Sequence, residues 1–367
     1  MGAKMKSSMG VGAQSPQDAP LFDVLACPPA DRAGVCAVIG RVAHQRLVDD
    51  AARHGLSAVV ADVLASAGAL GLLERAAQER LQHDARASLA RGVQHRRLLL
   101  RVVDGLVEAG VTPILLKGFA LASRLYPEQP LGRPSTDVDV LVAPEALPVA
   151  QAALRRLGLE EVRPASLADV FEEHHHLSFV GPAALVELHF RLFTGFGRGA
   201  FDDAAVFLRS RPSSCEGRAV RLLAPEDEFL YLATHAANHS FLRVSWLVDL
   251  QRYLRVEPQL DWEVMAARAR AAGFQTAVGA ALWLLETALG VRLPSQARRA
   301  FPVRRWRRWG HARLFAPGQV EAAALAQHRV WGFALRVWLV DSPRAGLRHL
   351  LDGGRRLARQ WKVNAEL

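Results

Sequence analysis

The sequence predicts an α+β protein, a short run of strands set between two helical regions. Three observations predict it. Apolar residues recur near a spacing of 3.6 from Val35 to Ala109, the spacing switches to two in short runs between Val111 and Leu192, and helical spacing returns after Ala224. The 367 residues allow two domains of roughly 100–200 residues and a core that needs no staples. With 22% charged residues and 19 prolines the composition is that of a globular chain, which excludes wholesale disorder. No uninterrupted apolar window reaches the roughly 18 residues of a membrane-spanning helix. Cys27, Cys36 and Cys215 form neither a disulfide framework nor a zinc ligand set, so the reducing cytoplasm is the expected compartment.

Residues 1–34 read as a disordered leader, small and polar at first and without the apolar stretch of a secretory signal. Residues 35–110 read as a helical lobe. Val38-Ile39, Val42 and Leu47-Val48 form one stripe, and Leu98, Leu99, Val102, Val103 and Leu106 form another that ends near Gly110.

Residues 111–224 read as the α+β core. Pro113 to Lys117 is a short apolar strand that opens on Gly118, and Phe119 to Tyr126 is helical. A proline-rich loop, Pro127 to Ser135, leads to the alternating strand Thr136 to Val142. Pro144 suits the first turn of a helix that stops at Gly158. Two further strands, His176–Val180 and Leu185–Phe190, flank the turn Gly181-Pro182. Residues 225–300 return to amphipathic helix, and 301–367 form a basic tail. That tail holds 13 Arg+Lys against 4 Asp+Glu, a net of +9 out of the chain's +10.

Asp137 and Asp139 lie two apart on one strand, so both carboxylates face one way while Val138 and Val140 face the other. Two like charges at that distance repel, and a divalent cation with oxygen ligands is the natural partner. Upstream, Lys117-Gly118 ends a strand and opens a helix, a turn that aims backbone N–H groups at an anion. Lysine is otherwise confined to positions 4, 6 and 362, which makes Lys117 inside an apolar run conspicuous. Downstream, Glu187 and His189 share a face, a third carboxylate there completes a two-metal clamp, and His189 is expected to meet the substrate.

The pattern ILLKGFAL, DVDVLV, HHHLSF and VELHF, followed by LATHAANHSFLRVSWLVDLQRYL over Leu232 to Leu254, resembles the bacterial family of uncharacterised nucleotidyltransferases. That family is a branch of the polymerase-beta-type superfamily. The resemblance spans roughly Val38 to Gly290 and leaves out the tail. It implies a polymerase-beta-like core, a short mixed sheet with helices, between N-terminal and C-terminal helical regions. It also implies transfer of a nucleotidyl group from an NTP, ATP first, to an acceptor hydroxyl that the sequence does not name. Asp137, Asp139 and Glu187 would then be catalytic and hold Mg²⁺ or Mn²⁺. Lys117, Gly118 and Arg133 would meet the triphosphate, because Phe119 stands where the superfamily has a phosphate-binding serine. The same fold with turnover lost, a nucleotide- or partner-binding module, is the alternative.

His174-His175-His176 reads as a chance or hydrogen-bonding cluster, since consecutive strand residues do not share a face. His235 and His239 lie on one helix face without the glutamate of a metalloprotease motif. His239 is expected to be structural or substrate-facing, beside Asp249. The tail's tryptophans at 306, 309, 331, 338 and 361 alternate with arginines. That pattern fits an anionic partner, RNA or a membrane surface, or a helical cap with a solvated arginine face.

Overall fold

The computed structural model of the chain describes residues 19–28, 31–133, 135–162, 175–193, 200–315 and 329–351. The N-terminal helices are α1 (Pro20–Ala26), α2 (Arg32–Ile39), α3 (His44–Arg53), α4 (Ser57–Ser66) and the 34-residue α5 (Arg75–Glu108). The expectation of a disordered leader up to residue 34 does not hold for its described part. Pro20 pre-sets the first turn of α1, and Leu21, Phe22, Val24 and Leu25 bury the apolar face that follows.

The core alternates β1 (Ile114–Leu115), α6 (Gly118–Leu125), β2 (Asp137–Leu141), α7 (Leu147–Arg156), β3 (Glu160–Glu161), β4 (His176–Val180) and β5 (Leu185–His189). It then adds α8 (Asp203–Arg209), β6 (Arg211–Cys215) and β7 (Arg218–Leu222). The seven strands form one mixed sheet in the order β3-β4-β5-β2-β1-β7-β6. The hairpin of β6 and β7 is not foreseen from the sequence, where its arginines and serines hide the strand pattern. Its turn carries the signal instead. Glu216 and Gly217 both have positive φ, 49° and 81°, as a tight two-residue hairpin of matching twist requires.

One sheet face packs against α5 and α7. Leu98, Leu99, Val102, Val103 and Leu106 of α5 meet Val138, Val140, Val186 and Leu188 of the strands. Burying each such side chain contributes roughly 1.5–3 kcal/mol. That burial also locks the register, since a slip of one residue would turn the carboxylates of β2 into this core. The other face meets the helical region α9 (Pro225–Asn238), α10 (Val244–Val256), α11 (Trp262–Ala272), α12 (Gln275–Ala288) and α13 (Ser295–Ala300). Gly92 of α5 sits against the turn that precedes β2, where a Cβ would stand 2.2 Å from the Leu131 carbonyl oxygen.

The tail is partly built into the fold through α14 (Arg305–Leu314) and α15 (Arg329–Trp338). Phe301, Phe315, Leu335, Leu339 and Val340 join the helical core. The Asp341 carboxylate accepts from the backbone N–H groups of Gln275 and Thr276 at 3.0 and 2.6 Å, capping α12. Trp306 and Trp309 remain more than half exposed, whereas Trp338 donates its indole N–H to the buried His311 at 3.2 Å. Trp361 and the Trp331 side chain lie outside the described residues. No described helix is long and apolar enough to cross a membrane.

Candidate active site

β2 and β5 run parallel with Asp139 opposite Glu187 and Leu141 opposite His189, and antiparallel β4 sets His176 opposite His189. Period two then brings Asp137, Asp139, Glu187, His189 and His176 to one face. The intervening Val138, Val140, Val186, Leu188, Leu177 and Phe179 fill the core behind it. The face is therefore a consequence of alternation on three neighbouring strands.

Asp139 is its electrostatic centre and has no exposed side-chain surface. Its Oδ1 accepts from Lys117 Nζ at 3.0 Å and from His189 Nε2 at 3.2 Å, and His189 Nε2 is also 3.3 Å from Glu187 Oε2. Its Oδ2 is buried and has no hydrogen-bond partner among the described residues. His176 Nε2 stands 3.8 Å from the other Glu187 oxygen. Asp139, Glu187 and His189 each place one ligand atom within 4.8 Å of the others. Asp137, half-buried at the open end of β2, belongs to no such convergence among the described residues.

These contacts set the protonation states. Burial works against the charge of Asp139, but Lys117 and then His189 outweigh it and hold the carboxyl well below its ordinary value. Burial likewise opposes the Lys117 ammonium, and Asp139 overcomes it, so the lysine stays charged far into the alkaline range. Asp137 goes the other way. Burial and the repulsion of Asp139 push it from 3.8 up to about 6, against the pull of Lys117. Burial would neutralise His189, but its hydrogen bonds to Asp139 and Glu187 raise its pKa. His176 is pushed down to about 4 by burial and by its neighbour His189.

Helix α9 sets Tyr231 and His235 beside the face, and His239 follows at its C-terminal end. Tyr231 is fully buried, and burial pushes its phenol up despite the nearby Lys117. The rings of His235 and His239 are 4.7 Å apart, both against Trp246, and burial lowers the pKa of each, that of His239 to about 4.

Beside this face lies the turn into α6. Gly118 adopts φ +64°, a left-handed conformation that L side chains rarely adopt, and its Cα faces the Asp137 carbonyl and the Ser135 hydroxyl. A cavity of about 210 Å³ opens on it, lined by Gly118, Ser135, Thr136, Arg53, Arg91 and Arg243 among others, with no carboxylate among the described residues of its lining.

The structure brings Asp139, Glu187, His189 and Lys117 together and sets Asp137 and Gly118 at their edge. Lys117 turns its ammonium onto Asp139. Arg133, expected at the triphosphate, lines the cavity but commits its buried guanidinium to Asp249, at 3.1 and 2.7 Å, beside the Tyr126 hydroxyl. That pair ties the loop before β2 to α10, a role invisible to local sequence. His239 sits at the rim beside Trp246, and His174 lies outside the described residues. Sequence reasoning missed Arg53 at the end of α3, Arg91 in the middle of α5 and Arg243 just before α10, which share no motif in an arginine-rich chain.

Residues 41–290 match the model of the family described as uncharacterised nucleotidyltransferase. Among solved structures, the solution structure of the antibiotic-resistance factor ANT(2″)-Ia is similar at 15% identity and a TM-score of 0.35, over 49% of this chain and 91% of that one. No curated protein matches the chain. The family match covers more than half of the chain, and the chain belongs to the uncharacterised nucleotidyltransferase family.

Proposed function

We propose that the chain moves a nucleotidyl group from an NTP to an acceptor hydroxyl, at the face built by Asp137, Asp139 and Glu187. The observation that carries this reading is the in-register pairing of Asp139 with Glu187, one carboxylate oxygen of Asp139 buried and unpartnered among the described residues, directly beside the glycine turn into α6. A buried carboxylate oxygen with no donor is costly in the protein alone and fits a divalent cation. Asp139 and Glu187, with Asp137 at the open end, would hold Mg²⁺ or Mn²⁺. Such an ion supplies charge stabilisation for the oxygens that attack and leave phosphorus.

The chain's own residues do the rest. The backbone N–H groups of the Gly118 turn face the phosphates, and Arg53, Arg91 and Arg243 line the cavity in which the triphosphate charge is neutralised. Lys117 and His189 hold the Asp139 carboxylate ionised and fixed in orientation. Glu187, at the partly open side of the site, takes the proton of the acceptor hydroxyl. Arg133 acts through the placement of the loop that carries Ser135 and Thr136. ATP is the first donor to test, and the cavity constrains the acceptor only to a hydroxyl that reaches Glu187.

The test follows label from α-phosphate-labelled NTPs into a pool of hydroxyl acceptors, with pyrophosphate release, in Mg²⁺ or Mn²⁺. Label transfer by the natural chain that disappears in Asp139→Asn and Glu187→Gln supports the reading. Transfer that persists in both variants overturns it.

A further inference from the structure

We infer that His175, His176 and His189 form a binding site for a second, transition-metal ion such as Zn²⁺, distinct from the carboxylate site beside it. One nitrogen from each of the three rings lies within 4.8 Å of the others, and the ring centroids stand 4.5, 5.1 and 5.5 Å apart. The strand pairing of His176 with His189 sets two of the rings side by side. The third is pinned by its backbone, because the His175 carbonyl accepts from the N–H groups of Phe190 and Arg191 at 3.1 and 3.3 Å. Nitrogens at about 2.0–2.1 Å from a zinc ion sit closer together than this, so closure needs ring movements of about an ångström.

A second observation is independent of the clustering. Among the described residues the Nδ1 atoms of His176 and His189, both buried, have no hydrogen-bond partner, and the His189 side chain is 3% exposed. The other nitrogen of each ring faces carboxylate. His189 Nε2 is held by Asp139 and Glu187, and His176 Nε2 lies 3.8 Å from Glu187. An imidazole that gives one N–H to a carboxylate and keeps the other nitrogen as a buried lone pair has the arrangement of a metal ligand with its outer-shell partner. Imidazole donors select zinc, cobalt, nickel or iron over magnesium, which prefers oxygen and keeps its waters. Glu187 would thus serve both ions, as a ligand to one and as the orienting partner of the histidines that bind the other.

The experiment uses the full chain stripped with a chelator and titrated with Co²⁺, read by its visible absorption, and with Zn²⁺, read by calorimetry, in the presence of excess Mg²⁺. The expected result is one ion per chain that Mg²⁺ does not displace. Binding should be lost in the His175→Ala/His176→Ala double variant, weakened roughly 10–100-fold in Glu187→Gln, and kept in Asp137→Asn. The single His175→Ala variant, at a partly exposed ring, gives the same reading if the double variant loses its far-UV circular dichroism. Binding that survives in His175→Ala and in the double variant, or that excess Mg²⁺ abolishes, overturns the inference. Because the readout is metal binding, it stands or falls apart from nucleotidyl transfer, which the labelled NTPs report with Asp139→Asn.

Discussion

Lys117 Nζ and Asp139 Oδ1 form a buried ion pair at 3.0 Å, with the lysine side chain 10% exposed and the aspartate not at all. The pair joins the end of β1 to the middle of β2. It separates the two aspartates of the DVD strand into different roles, since Asp139 has a fixed cation and Asp137 carries a repulsion that Lys117 only partly offsets.

Substitution at the two positions should therefore shift stability in opposite directions. Asp139→Asn strands the Lys117 charge in the interior and should cost about 3–5 kcal/mol. Asp137→Asn removes a carboxylate that burial and repulsion disfavour, and should stabilise the metal-free chain by on the order of 1–3 kcal/mol at neutral pH. Urea unfolding in chelator measures both. A loss of equal size in both variants would show that the aspartates are equivalent.

The Asp137 shift also fixes a pH dependence. Its folded pKa is raised from 3.8 to about 6, so its contribution to stability is fully present below pH 3.8 and is lost as pH rises through 6. The metal-free natural chain should lose stability relative to Asp137→Asn between pH 4 and 6, and the two profiles should run parallel above pH 7. Parallel profiles across the whole range would contradict the assignment. Mg²⁺ or Mn²⁺ should shrink the difference, because the ion takes over the role of a counter-charge.

Lys117→Met leaves Asp139 buried without its ammonium. Stability should fall by about 3–5 kcal/mol, and divalent ions should restore part of it. A thermal melt with and without Mn²⁺ reads this. No greater response to the ion than in the natural chain would mean that the Asp139 oxygens are not available to a cation.

Arg91→Ala should raise the dissociation constant of an NTP about tenfold, near the value of one charge-assisted hydrogen bond, and leave that of the free nucleoside unchanged. Arg133→Ala should instead unfold the chain more easily, by about 3–5 kcal/mol, because it leaves the buried Asp249 carboxylate without its counter-charge. Isothermal titration and urea melts separate the two. Equal effects on NTP and nucleoside in Arg91→Ala would remove the cavity from the phosphate site.

The β-strands that carry the site were legible because they alternate. Val138, Val140, Val186 and Leu188 mark one face, so Asp139, Glu187 and His189 must mark the other. Gly118 was legible as a turn residue and does adopt positive φ. Features set by tertiary packing were not legible. The partner of Arg133 lies 116 residues away, on α10. The arginines of the cavity share no local pattern, and the histidine trio depends on the β4–β5 register that sets His176 opposite His189, which the turn between the strands does not by itself fix. Helix α1 was missed because seven apolar-rich residues follow a leader of different composition.

The most direct test of the central claim is calorimetric titration of ATP, GTP, CTP and UTP in Mg²⁺, in Mn²⁺ and in chelator, on the natural chain, Asp139→Asn and Glu187→Gln. The account predicts that at least one NTP binds the natural chain in a metal-dependent way, and that both variants lose the metal dependence while retaining their fold by circular dichroism. No NTP binding to the natural chain with either ion, or metal-dependent binding that is unchanged in both variants, would contradict it.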